Sequence, residues 1–200
     1  FSKTALLDAH HKGGIKQGCF SVLKKTSDCK SNDRVTGAGR GLKLQNSFCE
    51  CTENMKAYKV ATHRHTSEIE QELSNVAGEE IMISFTPHLI PQKRGILSTI
   101  YVNLNRKSSA EELTEMYKEF YKDEFFVRVK EVGDLPETKH VAGSNFVDIG
   151  VCYDERLQRA VVVSSLDNIV KGAAGQAVQN MNLLFGLDEK TALTNPGFYL

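Results

Sequence analysis

The fold is decided by the stretch 147–177, which reads VDIGVCYDERLQRAVVVSSLDNIVKGAAGQA. Apolar residues recur at every second position from Val147 to Tyr153, a pattern typical of a half-buried β-strand. The polar residues 154–156 then separate this strand from a second apolar run that ends at Leu166. The two runs are therefore predicted to pair as an antiparallel hairpin.

A helix rich in small residues is predicted directly after the hairpin. Asp167 or Asn168 is a suitable N-cap, and Gly186 marks the C-terminal end. Gly172 and Gly175 lie near the start of this helix, where each glycine costs about 1 kcal/mol relative to alanine. This cost indicates either that another part of the protein packs very closely or that a ligand approaches the exposed N–H groups. The sequence leaves both explanations open.

The elements before the hairpin alternate between strands and helices. Alternating apolar residues predict strands at 81–87, 95–104 and 125–129. A capping box at 109–112 predicts the start of a helix whose buried face is formed by Leu113, Met116, Tyr117 and Phe120. Together these elements predict an α+β domain: a mixed, mostly antiparallel sheet with helices on one face.

The composition excludes several classes of protein. The 200 residues are 40% hydrophobic and 25% charged, with a formal net charge of zero. We therefore expect no nucleic-acid partner, because proteins that bind nucleic acids usually carry a surplus of basic residues. We also expect no membrane partner, because no apolar run approaches the roughly 18 residues that would span a bilayer. Five cysteines without framework spacing favour a reduced, cytoplasmic setting. A chain that begins at Phe1 is expected to be a fragment or a processed protein.

Two motifs whose side chains could bind a metal or take part in catalysis lie close together, CEC at 49–51 and HRH at 63–65. One interpretation is a zinc-binding module, because thiolates and imidazoles are the usual ligands of tetrahedral zinc. The Cys-x-Cys spacing disfavours it, since Cys-x-x-Cys lets both thiolates reach one metal more easily. This module is kept as the weaker alternative, and its four ligands would be Cys49, Cys51, His63 and His65.

The histidines have a second interpretation as acid/base groups. Thr66 or Ser67 is predicted to cap a helix, which places His65 at the helix N-terminus. There the helix dipole disfavours protonation of the imidazole, whereas the acidic residues of the first turn favour it. A neutral imidazole near pH 7 is what a general base requires. The alternative is an ordinary pair of surface histidines.

Six stretches carry a family resemblance: TGAGR at 36–40, HRHTSEIEQ at 63–71, SFTPHLIP at 84–91, RGILSTIY at 94–101, GSNF at 143–146 and the segment 167–182. Together they resemble the C-terminal part of the N-acetyl-γ-glutamyl-phosphate reductases, the semialdehyde dehydrogenases of arginine biosynthesis. The resemblance covers about residues 35–200. Ser67 replaces the proline that follows HRHT in the family, which leaves the helix start intact.

The resemblance implies a two-domain enzyme with an N-terminal Rossmann domain and a glyceraldehyde-3-phosphate dehydrogenase-like C-terminal domain. Since no glycine-rich dinucleotide turn occurs here, the Rossmann domain is expected to be largely missing. We predict that residues 1–34 are a poorly matching remnant of the N-terminal segment. Residues 35–168 would form the catalytic and dimerisation domain, and residues 169–200 a C-terminal helix and tail that return to the nucleotide-binding domain. A non-catalytic dimerisation module is the alternative.

The reaction implied by the resemblance is the NADPH-dependent reduction of N-acetyl-γ-glutamyl phosphate to N-acetylglutamate 5-semialdehyde. A cysteine thiolate attacks the acyl phosphate, phosphate leaves, and hydride from NADPH reduces the resulting thioester. The partners implied are a small acyl-phosphate substrate and further copies of the chain, as a dimer or tetramer. The location is cytoplasmic, or plastid or mitochondrial in a eukaryote.

Residue roles also follow from the resemblance. His63 and His65 would face the cysteine; we favour His65 as the acid/base and His63 as the group that places the substrate, with the reverse left open. Arg40 and Arg64 are expected to hold a carboxylate or phosphate, because guanidinium forks match those anions. The residues expected near NADP are Gly172, Gly175 and Asn180.

The nucleophilic cysteine is expected to precede Phe1. The stretch DCKS at 28–31 resembles the DAKS motif of the family, and counting back from it places the nucleophile before the first residue. The residues around Cys19 resemble those around the family's nucleophile, but Cys19 lies too close to the DCKS stretch, so it is the weaker alternative. No metal is expected, and this chain alone is expected to be inactive.

Overall fold

The computed structural model describes residues 23–34 as backbone and residues 44 and 47–197 with their side chains. Seven strands are present in this part of the chain: β1 (Leu23–Arg34), β2 (Lys56–Ala57), β3 (Met82–Ile90), β4 (Ile96–Leu104), β5 (Val127–Val129), β6 (Val147–Asp154) and β7 (Arg159–Leu166). The helices are α1 (Phe48–Cys51), α2 (His65–Ala77), α3 (Ala110–Tyr121) and α4 (Gly175–Leu184). A 3₁₀ turn, Thr138–His140, and a π-helical turn, Val170–Ala174, complete them.

The strands form one mixed sheet in the order β2-β3-β1-β4-β7-β6-β5. β1 pairs with β3 and β5 with β6 in parallel, whereas the other neighbours are antiparallel. In the predicted hairpin, Val151 lies opposite Val162 and Asp154 opposite Arg159. The structure thus confirms the α+β class, the mixed sheet and the hairpin.

The core lies on one face of this sheet. Four strands contribute apolar side chains to this face: Phe85 from β3, Ile100 from β4, Val151 from β6 and Val162 from β7. Helices α2 and α3 cover them. Ile69 of α2 and Leu113 of α3 belong to the same buried cluster. Burying each such side chain contributes about 1.5–3 kcal/mol, so the helices are held mainly by this face.

The opposite face of the sheet carries no helix in the described part of the chain. Thr99 lies opposite Val163 and Tyr101 opposite Val161, and all four are half-buried. At the β6 end this face is covered by the segment 134–137. A Cβ on Gly150 would lie 2.8 Å from Pro136, and the hydroxyl of the buried Ser165 of β7 donates to the carbonyl of Glu137 at 3.4 Å. Among the described residues, the part of this face at Thr99, Tyr101, Val161 and Val163 is therefore left without a covering helix.

Strand β1 lies inside the segment predicted to be an N-terminal remnant. It is paired on both sides, with Cys29 opposite Phe85 of β3 and opposite Ile100 of β4. The sequence analysis found no strand here because LKKTSDCKSNDR shows no clean apolar alternation. The sheet therefore extends into the 1–34 segment, and the three-part division of the chain stays a prediction.

Helix α3 has the predicted cap and buried face. The backbone N–H of Glu112 donates to Ser109 Oγ at 3.1 Å. Leu113 is buried, Met116 and Tyr117 pack against the core, and Phe120 is half-buried. Within the described residues, no helix combines the length and the apolar composition needed to cross a bilayer.

Candidate functional site

The two histidines of the HRH motif meet at the start of α2. The backbone N–H of His65 donates to Nδ1 of His63 at 3.1 Å. The helix begins at His65, with Arg64 as N-cap, so the prediction that Thr66 or Ser67 caps it was wrong. The His63 imidazole accepts one of the free N–H groups at the helix start, as a capping side chain does.

This hydrogen bond fixes the chemistry of the His63 ring. An Nδ1 atom that accepts a hydrogen bond carries no proton, so the neutral ring holds its proton on Nε2. His63 is half-buried and makes edge-on contacts with three rings, with centroid distances of 5.5 Å to Tyr58, 4.7 Å to His65 and 5.4 Å to Phe85. His65 and Arg64, by contrast, are exposed. The site therefore joins one oriented imidazole to an exposed imidazole and guanidinium.

Tyr58 is a neighbour of His63 that the sequence analysis did not identify. It follows β2 at the sheet edge, where its backbone N–H donates to the carbonyl of Pro87 at 3.1 Å. The segment leading to the histidines contains three non-glycine residues with positive φ, Glu53 at 54°, Lys59 at 47° and Ala61 at 57°. Such backbone is uncommon and is found at sites whose geometry is fixed by their surroundings. No sequence pattern signals this arrangement.

The zinc alternative is not supported by the structure. Cys49 and Cys51 lie in α1, the first exposed and the second buried. Residues two apart on a helix point to different sides, so the two thiols cannot face one metal. Among the described residues, no group of three His, Cys, Asp or Glu side chains is placed to hold a metal ion. The proposed quartet of Cys49, Cys51, His63 and His65 is therefore corrected: it does not assemble.

Asp167 organises the start of the C-terminal helix. The helical turn begins at Val170 with Ile169 as N-cap, so neither Asp167 nor Asn168 holds the predicted N-cap position. The fully buried carboxylate of Asp167 nevertheless accepts the N–H groups of Ile169 at 2.8 Å and Val170 at 2.9 Å, as a capping side chain does. Its other oxygen accepts the N–H of Gly143 at 2.7 Å. Arg94 Nη1 adds contacts of 3.3 and 3.4 Å to the two oxygens. One carboxylate thus joins the turn before β4, the GSNF stretch and the helix start.

The two glycines at the start of this helix differ in how closely they are packed. A Cβ on Gly175 would overlap Oδ1 of Asn145 and lie 2.9 Å from Cγ1 of Val170. A Cβ on Gly172 would lie 3.3 Å from the carbonyl of Asp167. Of the two explanations that the sequence left open, close packing therefore accounts for Gly175, whereas both remain open for the exposed Gly172.

The remaining cofactor candidate and a buried lysine lie on the same helix. Asn180 is exposed and accepts a hydrogen bond from Gln176 Nε2 at 2.8 Å. Lys171 is fully buried; its Nζ donates to Gln179 Oε1 at 2.8 Å and lies 5.3 Å from the Phe126 ring centroid. Lys171 was not identified from the sequence, because a lone lysine usually indicates solvent exposure. The roles of Gly172, Gly175 and Asn180 toward NADP stay predictions.

Two predicted residues, Arg40 and Cys19, lie outside the described part of the chain. The roles of Arg64, His63 and His65 toward a substrate are not tested by the geometry and stay predictions.

The end of α4 and the residues after it form an apolar ridge whose members are all exposed: Met181, Leu183, Leu184, Phe185 and Leu187.

Comparison with known proteins assigns the family. The family described as "Semialdehyde dehydrogenase, dimerisation domain" matches residues 15–168. The N-acetyl-gamma-glutamyl-phosphate reductase of Acetivibrio thermocellus is 65% identical over 166 residues, which are 83% of this chain and 48% of that protein. The reductase of Caldicellulosiruptor saccharolyticus is 56% identical over 178 residues, 89% of this chain and 52% of that protein. This chain spans about half the length of the curated relatives it matches.

Solved structures share the fold at low sequence identity. Aspartate semialdehyde dehydrogenase II from Vibrio cholerae superimposes with a TM-score of 0.65 at 17% identity, covering 86% of this chain and 58% of that one. A probable aspartate-semialdehyde dehydrogenase from Pseudomonas aeruginosa gives 0.66 at 15% identity, covering 90% of this chain and 60% of that one. The expected glyceraldehyde-3-phosphate dehydrogenase-like fold and the resemblance to N-acetyl-γ-glutamyl-phosphate reductases are both confirmed, and the chain belongs to the semialdehyde dehydrogenase dimerisation-domain family.

Proposed function

We propose that this chain is the catalytic and dimerisation part of an NADPH-dependent N-acetyl-γ-glutamyl-phosphate reductase. The observation that carries the proposal is the 65% identity over 166 residues to a protein of that name. The substrate would be the acyl phosphate of N-acetylglutamate, and the product the corresponding semialdehyde.

The proposed reaction divides its groups between this chain and a preceding domain. A thiolate located before Phe1 would attack the acyl carbon, the bond from that carbon to the phosphate oxygen would break, and inorganic phosphate would leave a thioester. NADPH, held mainly by a preceding Rossmann domain, would supply hydride to the thioester carbon. This chain would contribute the surface around Gly172 and Gly175 at the start of the C-terminal helix, where residues 172–174 are exposed, together with Asn180.

The two histidines would have different roles. The hydrogen bond at Nδ1 fixes the orientation of the half-buried His63 ring, so His63 would place the substrate. His65, exposed beside it, would accept the proton of the cysteine thiol as the thiolate forms and return it to the sulfur when the thiolate is expelled. Arg64 and Arg40 would hold the carboxylate and phosphate groups.

The proposed oligomer uses the uncovered face of the sheet. Thr99, Tyr101, Val161 and Val163 form a half-buried, largely apolar surface that a second copy would cover. The apolar ridge at 181–187 would instead pack against the nucleotide domain of the same protein. Analytical ultracentrifugation tests the first part: we expect dimers or tetramers, and Tyr101→Glu should release monomers. A monomer at high concentration for the unsubstituted chain would contradict it.

The activity is tested by comparing this chain with a longer protein that adds an upstream Rossmann domain and its cysteine. The assay follows the reverse reaction, in which the semialdehyde, NADP and phosphate form NADPH. We expect the longer protein to catalyse this reaction and the 200-residue chain to show no measurable rate. Activity of the short chain that Cys19→Ser abolishes would make Cys19 the nucleophile. A longer protein that associates but is inactive would favour the dimerisation module. A cytoplasmic location stays a prediction.

A further inference from the structure

Helix α4 is inverted relative to an ordinary amphipathic helix. Its buried residues are a glycine and three residues with carboxamide side chains: Gly175, Gln176, Gln179 and Asn182. Its exposed side carries apolar residues, since Leu184 is 82% exposed and Met181 is 45% exposed. The hydrophobic effect alone would turn the helix about its axis and bury these apolar side chains instead. Specific polar contacts must therefore hold α4 in the observed rotation.

Lys171 and Gln179 form the central contact of this buried side. Lys171 is fully buried in the π-helical turn before α4, and its Nζ donates to Oε1 of Gln179 at 2.8 Å. The same oxygen accepts a hydrogen bond from Nδ2 of Asn145 at 3.1 Å, and Nε2 of Gln179 donates to Oε2 of Glu189 at 3.2 Å. Both ends of the Gln179 carboxamide are thus held, which fixes the direction in which α4 presents this side chain.

The ammonium group of Lys171 makes this contact sensitive to the rotation of the helix. Burial of a cation is unfavourable unless it is compensated, and here Oε1 of Gln179 and the Phe126 ring, whose centroid lies 5.3 Å from Nζ, both compensate it. If α4 turned about its axis, Oε1 would move away from Nζ and the ammonium group would lose this acceptor. In some proteins buried polar groups select one arrangement among several that apolar packing would tolerate. π-Helical turns are also rare and are frequently found at functional sites.

The rotation of α4 decides on which side Asn180 lies. Successive residues are about 100° apart around the axis of an α-helix, and with Gln179 buried Asn180 is exposed. Gln176, one turn earlier, donates from Nε2 to Oδ1 of Asn180 at 2.8 Å. The Asn180 carboxamide is therefore both exposed and oriented, and this state depends on Gln179 facing inward.

We infer that Lys171 is a positioning residue, which through Gln179 holds α4 in the rotation that presents Asn180 to NADP. Because Lys171 is fully buried, it acts without contacting the cofactor. The presentation to NADP rests on the proposed function, in which Asn180 belongs to the cofactor site. The control of the helix rotation does not rest on it, so the two are tested separately.

A tryptophan on the exposed side of α4 reports the rotation, because the chain contains no other tryptophan. In the 200-residue chain with Met181→Trp, we expect emission at long wavelength and efficient quenching by iodide, as for an indole in water. Adding Lys171→Met removes the ammonium group but keeps most of the side-chain volume, and it should shift the emission to shorter wavelength and reduce the quenching. Adding Lys171→Arg instead retains a cationic donor and should shift the emission less. Unchanged emission and quenching in Lys171→Met would overturn the inference.

A second variant keeps this test decisive if circular dichroism shows that Lys171→Met does not fold. Asn145→Ala removes the other donor to Oε1 of Gln179 and leaves Lys171 in place. It should shift the emission in the same direction, and unchanged emission would again overturn the inference. The matched control is Val162→Ala, which removes buried volume from the core beneath α2 and α3. It should lower the melting temperature and leave the emission unchanged.

Kinetics of the longer protein test the presentation to NADP. Lys171→Met should lower kcat/KM for NADP about tenfold or more, a typical cost of a misplaced group, and leave KM for the semialdehyde unchanged. Val162→Ala should change neither. Equal effects on both substrates, or an unchanged kcat/KM for NADP, would overturn the positioning role. A longer protein that does not use NADP at all would overturn the proposed function, and the tryptophan emission would still show whether Lys171 holds the helix.

Discussion

Nδ1 of His63 accepts the backbone N–H of His65 at 3.1 Å, so two residues of one motif are tied together at the start of a helix. This contact requires Nδ1 of His63 to be unprotonated, so the neutral ring carries its proton on Nε2. It also gives the two neighbouring imidazoles different surroundings, one oriented among Tyr58 and Phe85 and one exposed. The proposed division between substrate placement and proton transfer rests on this difference.

The first prediction separates the two histidines in the longer protein. His65→Asn should lower kcat by roughly 10²–10⁴-fold, the usual contribution of a positioned acid/base. His63→Asn should chiefly raise KM for the acyl phosphate, because its proposed role is to place the substrate. Steady-state kinetics with both variants give the answer. The opposite pattern would mean that His63 is the acid/base.

The second prediction concerns Gly172, which precedes α4, and Gly175, its first residue. Gly175→Ala places a Cβ against Asn145 and 2.9 Å from Val170, so it should lower the free energy of unfolding by about 1–3 kcal/mol. Gly172→Ala is the matched control, because its nearest neighbours are at 3.3 Å and alanine favours a helix. Urea denaturation compares them. Equal losses in the two variants would show that packing at Asn145 is not the reason for Gly175.

The third prediction tests the cap of α3. Ser109→Ala removes the acceptor of the Glu112 N–H and should cost about 1 kcal/mol of unfolding free energy. Ser109→Asp retains a side-chain acceptor and should cost much less. The measurement is again urea denaturation at neutral pH. If alanine and aspartate are equivalent, the cap contributes nothing in this fold.

The fourth prediction concerns acid stability at the same helix start. Hydrogen bonds from Arg106 and Ser108 hold the pKa of Glu112 below its ordinary value of 4.5. Because the folded pKa is the lower one, the ionised Glu112 stabilises the fold above pH 4.5. That stabilisation is lost as the pH falls through the folded pKa. Glu112→Gln should therefore flatten the decline of stability below that pH.

Its control is Glu115→Gln on the same helix, for which the decline should be unchanged. Thermal unfolding followed by circular dichroism between neutral and acidic pH provides the curves. An identical decline in Glu112→Gln and the unsubstituted chain would show that the Arg106 contact does not act on stability.

Local patterns in the sequence determined much of the architecture. The hairpin 147–166 was predictable because apolar alternation and a polar turn lie within one short stretch, and α3 because its cap and its apolar face do. The family was recognisable from motifs spread over residues 36–182, which include both histidines. These features need no information about what lies across the fold.

Only the tertiary structure decided the features that depend on distant partners. β1 is a central strand because β3 and β4, more than fifty residues later, pair with it; its own residues lack a strand pattern. Gly175 is explained by Asn145, Lys171 is buried because Gln179 and Phe126 enclose it, and His63 is oriented by Phe85. Periodicity reports the face that a segment buries, whereas the partner on the other side of each contact is fixed only when the chain folds.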